Sequence, residues 1–154
     1  VDLARYLEEN VDPDFMKYRS RMMAILREES SLMEIVKLIG ADVLPDDQKL
    51  TIDVARVIRV GFLQQNAYHA DDTYVPLSKQ FLMMKVILRL YDKGRQLIAA
   101  GIPVGRVTES GLYEKLIKMK YDIPNDKPEI FDDYLKEIDQ VMDGLLQTGT
   151  TAAR

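Results

Sequence analysis

Residues 76–101 read PLSKQFLMMKVILRLYDKGRQLIAAG, and this stretch decides the fold. A proline at the front and a glycine at the end are typical of the two limits of a helix. Two apolar stripes at helical spacing run between them, made of Leu77, Phe81, Met84, Leu88 and Tyr91 and of Met83, Val86, Leu90 and Leu97. A helix that is apolar on two faces is usually enclosed by others, so this stretch predicts the central helix of a bundle.

Two helices are predicted before the central one. The first opens at Asp12-Pro13 and ends before Gly40, with one apolar face made of Phe15, Tyr18, Met22, Ile25, Leu32, Val36 and Ile39. The second starts after Pro45, where two acids suit the positive end of a helix, and runs to about Gln65. Its predicted buried stripe contains Leu50, Val54, Val57, Ile58 and Gly61. Residues 66–74 have no helical period and predict an ordered loop.

Two further helices are predicted after the central one. A short helix carries Leu112, Leu116 and Met119, and the last helix has an apolar face made of Phe131, Tyr134, Leu135, Ile138, Val141, Met142 and Leu145. No segment alternates as a strand would. The sequence therefore predicts an all-α bundle of about five helices, with residues 1–154 as a single domain and 147–154 as a frayed tail. Because the chain begins at Val1 rather than at a methionine, we expect a fragment of a larger protein.

Composition narrows the classes of protein that the chain can represent. Its 154 residues are 47% apolar and 30% charged, as in ordinary globular domains. Without cysteine there are no disulfides, catalytic thiolates or cysteine-based zinc sites. A net charge of −4 argues against nucleic-acid binding, and no run approaches the roughly 18 apolar residues of a membrane span. We therefore expect no nucleic-acid partner and no direct membrane insertion.

Catalytic and metal-binding motifs are missing from the sequence. It contains no GxxxxGK[ST], GxGxxG, GxSxG or HExxH, and its single histidine cannot form a two-histidine metal site. His69 near Asp71 and Asp72 could act as a ligand or a base, but a surface histidine with one hydrogen bond is the more common case. We therefore expect neither catalytic nor metal-binding residues, and no enzymatic activity from this chain alone. A carboxylate-based metal enzyme stays as a remote alternative.

Four stretches carry a family resemblance: REESSLMEIVKLIG at 27–40, FLQQNAY at 62–68, DTYVPLSKQ at 72–80 and, more loosely, KMKYDIP at 118–124. They resemble the C-terminal helical domain of the catalytic A subunit of archaeal and vacuolar-type rotary ATPases. The likeness is strong over about 12–92 and weak over the last forty residues. In that family the phosphate-binding loop lies in a separate nucleotide domain, which agrees with the missing motifs here.

The resemblance implies one wall of an adenine pocket. The aromatic residues at the corresponding positions are Tyr68 and Tyr74, and Gln65 is a weaker candidate for contact with the ring edge. An aromatic face can stack on a purine without a specific hydrogen bond. Many relatives carry phenylalanine at the two tyrosine positions, so the added hydroxyls need partners if buried. Judged from the residues alone, the two tyrosines would be loop aromatics that pack over one end of the bundle.

The resemblance also implies a contact with the central stalk at residues 41–47, which we call the tip. Its candidate contact residues are Asp42, Leu44, Pro45, Asp46 and Asp47. The simpler interpretation is an acidic turn that caps helices, and both interpretations can hold together.

The function implied by the resemblance is a coupling of nucleotide binding to central-stalk rotation in an ion-translocating ATP synthase or ATPase. The implied partners are the central stalk and the non-catalytic B subunit. In the intact protein, ATP or ADP would bind together with Mg, and no cofactor is expected in this chain itself. The implied location is the cytoplasmic, soluble head of a membrane-peripheral complex. The alternative is a helical adaptor module unrelated to ATPases, which would have a partner-binding face and no link to nucleotide.

Overall fold

The structure is a computed structural model that describes residues 2–64 and 75–152, with side chains as far as Gly149. Seven α-helices are present in this part of the chain: α1 Leu3–Asn10, α2 Phe15–Ile39, α3 Asp46–Val57, α4 Leu77–Ala99, α5 Gly105–Glu109, α6 Leu112–Asp122 and α7 Ile130–Ala152. A 3-10 turn spans Ala41–Val43, and a π-helix spans Ile58–Leu63. These residues include no β-strand. The predicted all-α class is confirmed.

Helix α4 is the central helix, as its two apolar stripes predict. It packs against α2, α3, α6 and α7. Both stripes supply fully buried side chains, among them Met83, Met84, Val86 and Leu90. A β-carbon on Gly94 would lie 2.9 Å from the Leu50 side chain, so this glycine allows α3 to approach α4 closely. After Ala99 the chain turns at Gly101, whose φ of +86° favours glycine.

The helix count differs from the predicted five for local reasons. The short helix α1 begins where the Asp2 side chain accepts a hydrogen bond from the Arg5 backbone N–H at 3.2 Å. The turn before α2 is closed by Asp12, whose side chain accepts from the Asp14 N–H, so α2 begins at Phe15 rather than at Asp12-Pro13. The other addition, α5, has only five residues, too few for a helical period to be recognised in the sequence.

The second predicted helix is two elements in sequence. It is α-helical from Asp46 to Val57 and continues as the π-helix to Leu63. We call residues 46–63 the α3–π rod; at the rise of an α-helix it would be about 25 Å long. Its inward positions Leu50, Val54, Val57 and Ile58 are completely buried. Hydrophobic periodicity alone does not distinguish an α-helix from a short π-helix, which is why the change was not predicted.

The two long outer helices depart from the apolar pattern near their ends. Ile39 was placed on the buried face of α2, but its side chain is 63% exposed, in the last turn of the helix. Helix α7 continues to Ala152, beyond Leu145, the last residue of its predicted apolar face, and through most of the tail expected to fray. A β-carbon on Gly149 would lie 2.7 Å from Ile102, so α7 still contacts the bundle there.

Ion pairs join α4 to its neighbours across partly exposed surfaces. Arg21 on α2 pairs with Asp92, and Arg89 pairs with Asp139 on α7 at 2.7 Å. Lys93 pairs with Asp143, also on α7, at 2.9 Å. Pairs with this much solvent contact contribute little stability, roughly 0–1 kcal/mol each, so the buried apolar surface holds the helices together and the pairs fix their register.

Candidate functional site

The predicted adenine wall lies outside the described residues. Gln65, Tyr68 and Tyr74 all fall between 64 and 75, as do His69 and its two neighbouring aspartates. The structure does describe the chain on both sides of this segment. We call residues 58–64 and 75–80 the stem, because they lead into the segment and out of it.

The stem begins with the π-helix, where the Gln64 N–H donates to the Arg59 carbonyl at 2.9 Å. The Arg59 side chain forms a bidentate pair with Glu29 on α2, with N–O distances between 2.8 and 3.2 Å. The Glu29 side chain is only 10% exposed, and its hydrogen bonds raise the pKa of Arg59. π-Helical turns are uncommon and occur often at functional sites. The Arg59–Glu29 pair anchors the π-helix of this protein to α2.

Gly61 lets the π-helix lie directly on α6. A β-carbon built on Gly61 would be 2.9 Å from the Ile117 Cα and 3.2 Å from the Leu116 carbonyl oxygen. Both atoms are backbone, which cannot move aside as a flexible side chain can. A side chain at this position would therefore push α6 away from the stem.

Two buried lysines and a glutamine hold the stem. Lys79, 3% exposed, donates at 2.7 Å to the carbonyls of Lys120 and Ile123 and to the Asn125 side chain. Lys120, 4% exposed, donates to the Gln64 carbonyl at 2.7 Å. The Gln80 side chain donates to the Val75 carbonyl at 3.0 Å. These lysines were not singled out in the sequence, because lysine is normally a surface residue.

A cavity of about 280 Å³ opens beside the stem. Its walls include methionines of α2 and α4 and the stem residues Phe62, Leu63 and Val75. Two cationic side chains, Arg19 and Lys120, also line it. The cavity therefore adjoins residues that flank 65–74, and its lining is part apolar and part cationic.

The structure divides the five predicted tip residues into two groups. Leu44 is buried, and the Asp46 carboxylate accepts a hydrogen bond from the Val104 N–H at 2.9 Å. These two residues therefore brace the turn against the bundle. Asp42, Pro45 and Asp47 are exposed and available for contact. The Asp46 side chain thus binds a distant backbone N–H rather than capping α3, and the contact role of the other three residues stays a prediction.

An apolar surface beside the tip was missed by the sequence analysis. Its members are large hydrophobic side chains with high exposure, and we call them the tip patch: Ile35 (40%), Leu38 (84%), Ile39 (63%) and Val43 (57%). The sequence contains a sign of this exposed surface. Four of the five residues Ile35–Ile39 are apolar, and they cannot all face the core from one amphipathic helix. Contiguous exposed apolar surface usually marks a place where another molecule binds.

Tyr113 on α6 and Asp53 on α3 face each other between the tip and the stem. Burial raises the pKa of the Tyr113 hydroxyl strongly, and the neighbouring charge of Asp53 raises it further. Burial also raises the pKa of Asp53. The hydroxyl makes no hydrogen bond of ordinary geometry within the described residues, so we treat the contact as electrostatic. The pair lies where α3 packs against α6, with the Tyr113 side chain buried and Asp53 half-buried.

The fold and the site define a class: an all-helical domain whose buried rod connects an exposed apolar tip with a stem held by lysines. The family model described as the C-terminal domain of V and A type ATP synthase matches residues 4–107, so the chain belongs to this family. The predicted resemblance is confirmed. The alternative of an adaptor unrelated to ATPases is wrong, because the match covers most of the chain.

Individual relatives extend the similarity over more of the sequence. Over 82% of its own residues, the chain is 50% identical to the V-type ATP synthase alpha chain 2 of Clostridium tetani. Over 90% of its residues, it is 46% identical to the V-type ATP synthase alpha chain of Halothermothrix orenii. It is 40% identical to the A subunit of the A-type ATP synthase of Staphylothermus marinus over 94%. The aligned parts make up 21%, 24% and 24% of these three proteins, so the chain spans about a quarter of their length.

Proposed function

We propose that this chain works as the C-terminal domain of the catalytic subunit of an ion-translocating rotary ATP synthase or ATPase and couples nucleotide occupancy to rotation of the central stalk. The observation that carries the proposal is the α3–π rod. It is continuous from Asp46 to Leu63, and its inward side chains are fully buried. Packed helices move as rigid units, so displacement of the stem would be transmitted to the tip.

The tip patch supports a contact with the central stalk. Leu38 and Ile39 expose apolar side chains next to the exposed carboxylates of Asp42 and Asp47. Such a surface suits a partner that offers apolar residues surrounded by basic ones. An apolar contact can slide because it is not directional, whereas acidic residues at the rim favour particular orientations. Both properties suit a rotating shaft.

For nucleotide, we propose that Tyr68 and Tyr74 wall the adenine pocket, with Gln65 at the ring edge. The family resemblance of 62–68 and 72–80 is the support for these three residues. The phosphate-binding loop would come from the nucleotide domain of the same subunit, together with the Mg that accompanies ATP or ADP. Coupling would then be reciprocal: a stalk position that favours one tip position would also favour one nucleotide state.

Partners and location follow from this assignment. The chain would contact the central stalk and, within the head of the complex, the non-catalytic B subunit, on the cytoplasmic side of the membrane. No helix among the described residues is long and apolar enough to cross a bilayer. The ion-translocating and ATP-consuming or ATP-forming chemistry would belong to the whole complex.

The test of the nucleotide role is Tyr68→Ala in an assembled V/A-type ATPase whose catalytic subunit carries this sequence. Loss of a stacking face should raise the KM for ATP about three- to tenfold, with a smaller change in kcat. The control is Tyr6→Ala on α1, which removes a tyrosine that is 49% exposed and far from 65–74 in the sequence. Equal KM values for the two variants would refute the adenine-wall role.

A further inference from the structure

Lys79 fastens the first turn of α4 to the end of α6. Its ammonium group donates to the Lys120 and Ile123 carbonyls and to the Asn125 side chain, all at 2.7 Å. The last carbonyls of a helix lack partners within the helix and carry its negative pole, so a cation is well placed there. The position of α6 is thereby fixed relative to the start of α4.

Lys120 extends this connection from α6 to the stem. Its ammonium group donates to the Gln64 carbonyl at 2.7 Å, directly after the π-helix. On the other side of the segment, Gln80 holds the Val75 carbonyl at 3.0 Å. The backbone is therefore held by side-chain donors both before residue 65 and after residue 74. Hydrogen bonds fix the direction of a carbonyl, which apolar packing alone does not do.

We propose that Lys120 and Gln80 are positioning residues that set the nucleotide affinity of the parent subunit by fixing the Gln64 and Val75 carbonyls, and that Lys79 holds the end of α6, and so Lys120, in place. This inference rests on the proposed adenine role of the segment between them. A side chain that acts only on stability would alter the amount of folded enzyme. A positioning residue alters how well ATP binds to the enzyme that has folded, because misplaced contacts lose binding in both the ground and the transition state.

The experiment compares variants of α6 in the assembled ATPase. Lys120→Met keeps a long side chain and removes the donor, so it should raise the KM for ATP about three- to tenfold with little change in kcat. Lys120→Arg restores a donor and should return KM to within about twofold of the parent. Lys118→Met is the matched control, since it makes the same change at an exposed lysine of the same helix and should leave KM unchanged.

Gln80→Leu is the second test, and it applies even if Lys120→Met prevents assembly. Gln80 is only partly buried, so its replacement should allow the subunit to fold. It should raise the KM for ATP about two- to fivefold. A KM for Lys120→Met or Gln80→Leu equal to that of Lys118→Met would overturn the positioning role. If Lys120→Met and Gln80→Leu leave the KM unchanged while Tyr68→Ala raises it in the same assay, only the positioning role fails. If Tyr68→Ala also leaves the KM unchanged, the proposed adenine role fails.

Discussion

The tip and the stem lie at opposite ends of the α3–π rod and are built in opposite ways. In the tip patch, large apolar side chains such as Leu38 face solvent, while in the tip the Asp46 carboxylate accepts a hydrogen bond from the Val104 N–H. At the stem, the charged side chains of Lys79 and Lys120 are buried, and their donors bind backbone carbonyls. Exposed apolar surface suits a contact that forms and changes, whereas buried hydrogen bonds suit a fixed geometry. The difference supports the proposal that one end meets a partner while the other end holds its own backbone.

The strongest test of the fixed geometry at the stem is Gly61→Ala. The added β-carbon would meet the Ile117 backbone at 2.9 Å, so α6 must shift, and we expect the free energy of unfolding to fall by about 2 kcal/mol. Gly144→Ala is the control, because nothing lies within 4 Å of that position in α7 and helix propensity alone should raise stability by about 0.5–1 kcal/mol. Urea unfolding of both variants measures the difference. If Gly61→Ala is as stable as the parent, that result would contradict the close contact between the π-helix and the backbone of α6.

A smaller effect is expected at Tyr113, where α6 packs against α3 between the two ends. Burial raises the pKa of Tyr113 above its unfolded value of about 10, so its contribution to stability is fully present below pH 10 and is lost as pH rises further. The loss should reach about 1.4 kcal/mol at pH 11. Tyr113→Phe should remove this part of the alkaline decline in urea midpoints, and Asp53→Asn should reduce it by removing the neighbouring negative charge. A Tyr113→Phe variant with the same decline as the parent would show that α3 and α6 are not packed as described.

The comparison also separates what the sequence could predict from what it could not. Local sequence patterns determine several features that were predicted: the central helix α4, the helix ends at Gly40 and Gly101, and the acidic start of α3. The burial of Lys79 depends on where the end of α6 lies in space, which no local pattern contains. Sequence resemblance was the sole guide to Tyr68 and Tyr74, because the residues themselves are equally typical of ordinary loop aromatics.

The tip patch shows a third kind of limit. Leu38 and Ile39 were predictable as an excess of apolar residues at the end of α2, but hydrophobic periodicity assigns apolar positions to the core by default. Their exposure depends on which other helices cover the last turn of α2, which no local pattern contains. Substitutions here should have the smallest effect on folding, with the free energy of unfolding changed by less than about 0.5 kcal/mol.

The central claim, that the tip bears on the central stalk, is tested most directly by Leu38→Cys in the assembled ATPase. Residues 1–154 contain no cysteine, so this variant gives them a single thiol, at a position that is 84% exposed. We predict that a thiol-reactive cross-linker joins it to a protein of the central stalk, that the yield depends on bound nucleotide, and that the cross-link stops ATP turnover. Leu3→Cys on α1, 66% exposed, is the matched control and should give no such product. Equal cross-linking of the two variants to the stalk, or none from Leu38→Cys in any nucleotide state, would contradict the proposed coupling.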